Sequence, residues 1–155
     1  MPDPRLVAVL TQTTLSVDEA MRVMNVLRRR FPALHTPRKE DICYATTNRQ
    51  MAVKSLRGKV DLWLVIGDPM SSNSNRLREL GADSGVPAHL VLGSDQLRPE
   101  WFAGVGTVGI TSGASTPEGS VAAVVQRLRE LGATHVEEVA GIPETIEFSL
   151  PMPVR

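Results

Sequence analysis

Cys43 stands in the run Asp41-Ile42-Cys43-Tyr44-Ala45-Thr46-Thr47-Asn48-Arg49-Gln50. Two loops rich in hydroxyls and amides follow it, Ser71-Ser72-Asn73-Ser74-Asn75 and Thr111-Ser112-Gly113-Ala114-Ser115. A thiolate is a soft metal ligand, and short neutral donors just ahead of a helix can hold an anion. The combination points to an iron-sulfur or metal site beside an anion pocket. Yet the chain has one cysteine, whereas iron-sulfur clusters take several thiolates and structural zinc takes four Cys or His ligands. This chain cannot complete either site alone.

Each motif also has a plainer reading. A lone Cys is often a small buried hydrophobe, but Asp41 and the polar run Thr46-Thr47-Asn48 favour a loop at a helix start, where a thiolate is stabilised. One helix cap needs one short polar residue, and residues 71–75 supply five in a row. Hydrogen bonds to a charged group contribute about 1.5–3 kcal/mol each, so such a loop suits a diphosphate as well as it suits a turn. Ser115-Thr116-Pro117-Glu118 has the spacing of a capping box with proline in the first turn, and the same geometry aims backbone N–H groups outward.

Neither loop contains Lys or Arg, and Arg76 falls on the helix that follows. A diphosphate held here needs a positive or protonatable partner from elsewhere. His35, His89 and His135 are scattered without a second ligand at metal spacing, and Glu40, Asp41 and Glu118 are not paired as acid and base. Structural roles are expected for the histidines, and a helix-capping role for Glu118.

The elements that must position these residues alternate. Val7 to Leu10 reads as a short strand, followed by the threonine loop Thr11-Gln12-Thr13-Thr14 and a helix whose Ser16 and Glu19 have capping-box spacing. That helix carries Ala20, Val23, Met24 and Leu27 on one face and ends in Arg28-Arg29-Arg30, a solvated terminus that complements the dipole. A second helix is expected from about Thr47 to Leu56, a strand over Val60 to Ile66, a helix from Asn73 to Leu80 and a strand at Ala88 to Val91. Trp101-Phe102 packs a connecting turn. A strand at Gly106 to Ile110 leads to a helix through Val121, Val124, Val125, Leu128 and Leu131, with Gly132 as its C-cap and a late strand pair near 136–139 and 146–150. This alternation means an α/β fold with a largely parallel sheet. In such sheets ligands sit beyond the carboxyl ends of the strands, where Thr13, Ser71 to Asn73 and Ser115 all fall.

The bulk numbers narrow the function further. A chain of 155 residues with 17 basic and 17 acidic side chains carries no net field to attract nucleic acid or an anionic membrane. One Cys excludes an internal disulfide, no apolar run approaches the ~20 residues of a spanning helix, and Met1-Pro2-Asp3-Pro4-Arg5 lacks a signal-peptide pattern. A cytoplasmic location is the expectation.

Taken in order, Thr11 to Ser16, Asp41 to Gln50, Ser71 to Leu77, Gly109 to Ser115 and the closing Glu147-Phe148-Ser149-Leu150-Pro151 resemble the 4-hydroxy-3-methylbut-2-enyl diphosphate reductase family of the LytB type. The resemblance implies a reductive dehydroxylation of an allylic diphosphate to isopentenyl and dimethylallyl diphosphate. It implies electrons from a ferredoxin- or flavodoxin-type donor and a 4Fe-4S cluster held by three Cys. By the same resemblance Cys43 is the third cluster ligand, Ser71, Ser72, Asn73 and Ser115 bind the substrate diphosphate, and Thr13 is a catalytic residue near the substrate hydroxyl.

The family's amino-terminal half, with two cysteines, the diphosphate-binding histidines and the proton-delivering glutamate, has no counterpart here. The implied fold is three α/β units in a trefoil, of which residues 1–40 are the remainder of the middle unit and residues 41–155 the carboxy-terminal unit. A poorly supported first unit with an exposed edge is expected, and activity only with the missing half. A non-catalytic diphosphate-binding module or an inactive remnant is the alternative.

Overall fold

A computed structural model describes residues 3, 5–37, 41–139 and 141. The elements run α1 (Val17–Arg30), α2 (Tyr44–Ser55), β1 (Leu62–Ile66), α3 (Ser72–Ala82), β2 (Ala88–Val91), β3 (Val108–Ser112) and α4 (Glu118–Glu130), with short 3-10 turns at Ser94–Gln96 and Pro99–Phe102 between β2 and β3. The three strands form one parallel sheet in the order β2-β1-β3. The expected α/β fold with a parallel sheet is what the chain adopts.

β1 explains the layering. All five of its residues are buried, as expected of a parallel strand covered on both faces. Leu62, Leu64 and Ile66 point to one side, where Val124 and Leu128 of α4 meet Val91 and Leu97. Trp63 and Val65 point to the other, against Val53 of α2 and Leu77 and Leu80 of α3. The helix after β1 therefore lies on one face and the helix after β3 on the opposite face. Adjacent strands that send their chains to opposite faces leave a crevice at their carboxyl ends, the usual ligand position in such sheets.

Several expected boundaries move. α2 begins at Tyr44, three residues before its expected start, with Cys43 as its N-cap. Thr46, Gln50 and Val53 share its buried face, so part of the polar run read as loop is helix. α4 closes in a Schellman turn, in which Gly132 at φ 113° donates to Arg129 O and Ala133 donates to Leu128 O. The capping box expected at Ser115 does not form, because the N-cap of α4 is Pro117, with no side-chain bond. No strand is present over 136–139, and residues 146–150 lie outside the described residues.

The amino-terminal part is thinly supported. The expected strand at residues 7–10 is a single parallel bridge, Ala8 to His35, made by Val9 N–H to His35 O at 3.0 Å and His35 N–H to Val7 O at 2.9 Å. Ser16 caps α1 by accepting from the Glu19 amide, yet no residue of α1 is buried. Val23 and Val26 are 58% and 61% exposed, and Leu6 and Leu10 about 80%. Polar links tie α1 to the rest, including Lys54 to Asp18 at 2.7 Å and Arg76 to Glu19 at 3.0 Å.

His89 of β2 is structural, stacking on Trp101 with ring centroids 3.8 Å apart and planes 4° from parallel. Burial, and then the nearby Arg98 guanidinium, hold its pKa below the usual histidine value. The unfolded chain binds this proton near pH 6.5 while the folded chain resists it, so stability falls as pH drops through that value and until His89 protonates in the folded state. His89→Phe retains the stack, and it is expected to flatten this part of the decline when urea midpoints are compared between about pH 7.5 and pH 5.

Candidate functional site

The carboxyl ends of β1 and β3 are joined through one atom. The carbonyl oxygen of Ile66 accepts from the Gly113 amide at 2.9 Å and from Thr116 Oγ1 at 2.9 Å. Thr116 is thereby committed to β1 and stands outside the helix, whose N-cap is Pro117. Ser115 is left exposed beside this junction, with no capping role.

The β1–α3 loop arrives at the same junction. Ser71 caps α3 by accepting from the Ser74 amide at 3.3 Å, and its own amide donates to Asp68 O. The Asn75 amide goes to Ser71 O at 3.0 Å. Among the described residues this leaves the amides of Ser72 and Asn73 unpaired, which makes the start of α3 an anion-binding geometry. Asn73 adds a stronger signal. It is only 6% exposed, and neither its Oδ1 nor its Nδ2 has a hydrogen-bond partner. A buried, unpaired amide costs about 1–3 kcal/mol per group, a penalty that an incoming polar ligand would remove.

The second half of the site is built by α2. Its first residue follows Cys43, whose side chain is exposed and free. The Cys43 amide donates to Thr13 O at 3.1 Å, so the cysteine and the threonine loop are fastened together. Asp41 fixes the same loop by accepting from the Thr11 amide at 2.8 Å and from Thr11 Oγ1 at 3.3 Å. Gln50 reaches back from about two turns further along, donating to Leu15 O at 2.9 Å and accepting from the Val17 amide at 3.0 Å. Thr46, Gln50 and Val53 recur at helical spacing on one face, a periodicity present in the sequence that marks Gln50 as inward-facing.

A cavity of about 320 Å³ separates this half from the first, lined by Gln12, Thr14 and Leu15 on one side and Ser72, Asn75 and Arg76 on the other. Thr13 meets Cys43, the threonine loop faces Ser72 across the cavity, and α3 meets the 113–116 loop. Of the residues singled out from sequence, Ser72 lines this cavity, whereas Thr13, Cys43, Ser71, Asn73 and Ser115 lie outside its lining. Arg76 brings no free charge to it, being paired with Glu19 and Glu79 at 3.0 and 2.9 Å. A larger cavity of about 680 Å³ runs along the β2 edge beside Arg78, His89, Arg98 and Trp101, and it holds none of these residues.

The donor set fits one ligand of a metal centre, not a whole one. Among the described residues no group of three or more His, Cys, Asp or Glu side chains is placed to hold a metal. Nor is any helix among them long and apolar enough to cross a membrane.

Comparison with known proteins follows the same geometry. The family model described as LytB protein matches residues 2–129. The chain belongs to the LytB family. Among curated LytB relatives, the 4-hydroxy-3-methylbut-2-enyl diphosphate reductase of Azotobacter vinelandii is 54% identical over 153 residues, covering 99% of this chain and 49% of the relative. That of Chromohalobacter salexigens is 53% identical over 152 residues, covering 98% and 48%. The solved reductase of Plasmodium falciparum aligns with a TM-score of 0.73 at 37% identity, over 77% of this chain and 37% of that one. This LytB chain thus spans about half the length of the curated relatives it matches.

Because Ser115 is exposed and caps nothing, Ser115→Ala is expected to leave the melting temperature within about 2 °C, where loss of a true cap costs about 1 kcal/mol. If Ser115 binds a diphosphate, the reading proposed below, the same substitution weakens binding of inorganic diphosphate by roughly tenfold, the worth of one charge-assisted hydrogen bond. Thermal denaturation beside titration calorimetry separates the two.

Proposed function

We propose that this chain is the carboxy-terminal portion of a 4-hydroxy-3-methylbut-2-enyl diphosphate reductase. In this reading it supplies the diphosphate-binding wall of the pocket and one cluster ligand, and it is active only when joined by an amino-terminal half. The observation that carries the reading is the buried, unpartnered amide of Asn73 at the start of α3. Neither half of that amide has a partner within this chain, which supports a polar ligand or a partner segment as its missing counterpart.

In this reading Ser71, Ser72, Asn73 and Ser115 hold the diphosphate through hydroxyls, the Asn73 amide and the free amides of Ser72 and Asn73. These donors are neutral, and the paired state of Arg76 means that the balancing positive charge comes from the absent half. Thr13, held against the Cys43 amide, orients the substrate hydroxyl and its proton network. Cys43 is the single thiolate offered to a 4Fe-4S cluster, which, when bound, supplies the electron transfer. The overall change takes two electrons from a ferredoxin- or flavodoxin-type donor and two protons, breaks the allylic C–O bond and releases water. The uncovered apolar face of α1, with Val23 and Val26, is where the missing half would bury surface, since a parallel sheet fragment is stable only when covered. A cytoplasmic setting suits a thiolate kept reduced.

The test is reconstitution. This chain is mixed anaerobically with the amino-terminal segment of the Azotobacter vinelandii relative, then given iron and sulfide. Iron retained by the mixture, absent from either piece alone and lost in Cys43→Ala, is the expected result. Diphosphate binding indifferent to Cys43, with no iron gained on mixing, would instead establish a non-catalytic binding module or a remnant.

A further inference from the structure

Ser74 has no part in the reading above, yet the two anion loops meet on its side chain. It is 1% exposed, the third residue of α3, and its amide is held by Ser71 Oγ at 3.3 Å. A Cβ built on Gly67, just after β1, would fall 2.2 Å from Ser74 Oγ, and one built on Gly113, just after β3, would fall 2.4 Å from the same atom. Thr116 Oγ1 closes the group at 3.6 Å and 3.2 Å from those two Cβ positions. The serine hydroxyl therefore occupies the space that a side chain on either strand end would need.

From this we infer that Ser74 is a positioning residue. Its Oγ, seated between Gly67 and Gly113, sets the gap between the 71–73 loop and the 113–116 loop, so that Asn73 and Ser115 address the same anion. This rests on the diphosphate reading of the site. The physical basis is that a side chain one atom long fills the seat. Alanine leaves it loose by one oxygen, and threonine or valine adds a second γ atom where the neighbouring backbone leaves no room. Asn73 directly precedes Ser74, and Ser115 directly precedes Thr116, so a shift at the seat is transmitted to both ligand-facing residues.

The contact distances make the inference unusually testable, because they predict an asymmetric rescue. The Cβ on Gly113 lies 3.7 Å from Ser74 Cβ, an ordinary contact, whereas the Cβ on Gly67 lies 2.8 Å from it. Gly113→Ala and Gly67→Ala are each expected to lower the melting temperature. Adding Ser74→Ala is expected to restore most of the loss in Gly113→Ala, whose remaining tight contact is Thr116 Oγ1 at 3.2 Å, and to leave Gly67→Ala unrescued. Ser74→Ala alone is expected to keep its melting temperature within about 2 °C while weakening inorganic diphosphate by roughly tenfold, as misplacement of binding groups does.

Rescue of both glycine variants, or of neither, would overturn the seat, and wild-type diphosphate affinity in Ser74→Ala would overturn its positioning role. If the unmutated chain binds no diphosphate, the diphosphate reading fails by itself. The amide resonances of Asn73 and Ser115 in Ser74→Ala then decide the positioning role, supporting it by moving and refuting it by staying.

Discussion

Replacing Asn73 with leucine is expected to raise the melting temperature by about 4–10 °C and to remove binding of inorganic diphosphate. The two effects have one cause. Asn73 is 6% exposed with both amide atoms unpartnered, and leaving polar groups buried and unpaired costs about 1–3 kcal/mol. Leucine has the same number of side-chain heavy atoms and a better helix propensity, so it removes the penalty without opening a cavity. A stabilising substitution that destroys binding is the signature of a residue kept for its ligand. Asn73→Asp is the companion variant. It keeps the shape but places a carboxylate where the proposed diphosphate would sit, so binding is expected to be lost through repulsion and the folded state weakened by a buried charge. A fall in melting temperature for Asn73→Leu with binding retained would mean that the amide is already satisfied in solution, and the case for a ligand at α3 would lapse.

Much of this arrangement was legible in the chain. The run from Leu62 to Ile66 is apolar throughout and too short for a helix, so a buried parallel strand followed directly, and the structure buries all five residues. Ser16 and Gly132 act at the helix ends as their types require. The loops at Ser71 and Ser115 follow β1 and β3 as expected, whereas the loop at Thr13 follows only the single Ala8–His35 bridge.

What escaped was non-local. Ser115 and Glu118 have the spacing of a cap, but Thr116 spends its hydroxyl on Ile66 O, fifty residues away, and no local pattern shows that partner. α2 starts early because Thr46 is buried among tertiary neighbours, while a Thr-Thr-Asn run reads locally as a loop. The seat of Ser74 depends on two glycines that are distant in sequence and adjacent only once β1 and β3 pair in register. Asn73 and Asn75 look alike in the sequence; the structure gives Asn75 two carbonyls, of Pro69 and Ser71, and gives Asn73 none.

Gln50→Met is expected to release the start of α1 while leaving the sheet intact. The Gln50 amide makes the only side-chain bonds to Leu15 O and the Val17 amide among the described residues, and methionine fills the same volume without either. The two orphaned backbone groups together lose about 2–4 kcal/mol of local stability, which raises amide exchange in α1 roughly thirty- to a thousandfold. The opening stays local because no residue of α1 is buried, and among the described residues the other side-chain ties of α1 itself are the Lys54–Asp18 and Arg76–Glu19 pairs, each worth under about 1 kcal/mol at a surface. Amides of β1, enclosed on both faces, are expected to keep their protection. Thr13 stays beside Cys43 through the bond from the Cys43 amide, and Asp41 still holds Thr11, so the loosening begins at Leu15 and runs into α1. Mass-spectrometric hydrogen exchange reads the pattern directly. A uniform loss of protection across β1 and α1 would mean that the two parts open as one unit, and unchanged exchange in α1 would mean that the Gln50 bridge does not hold the start of α1.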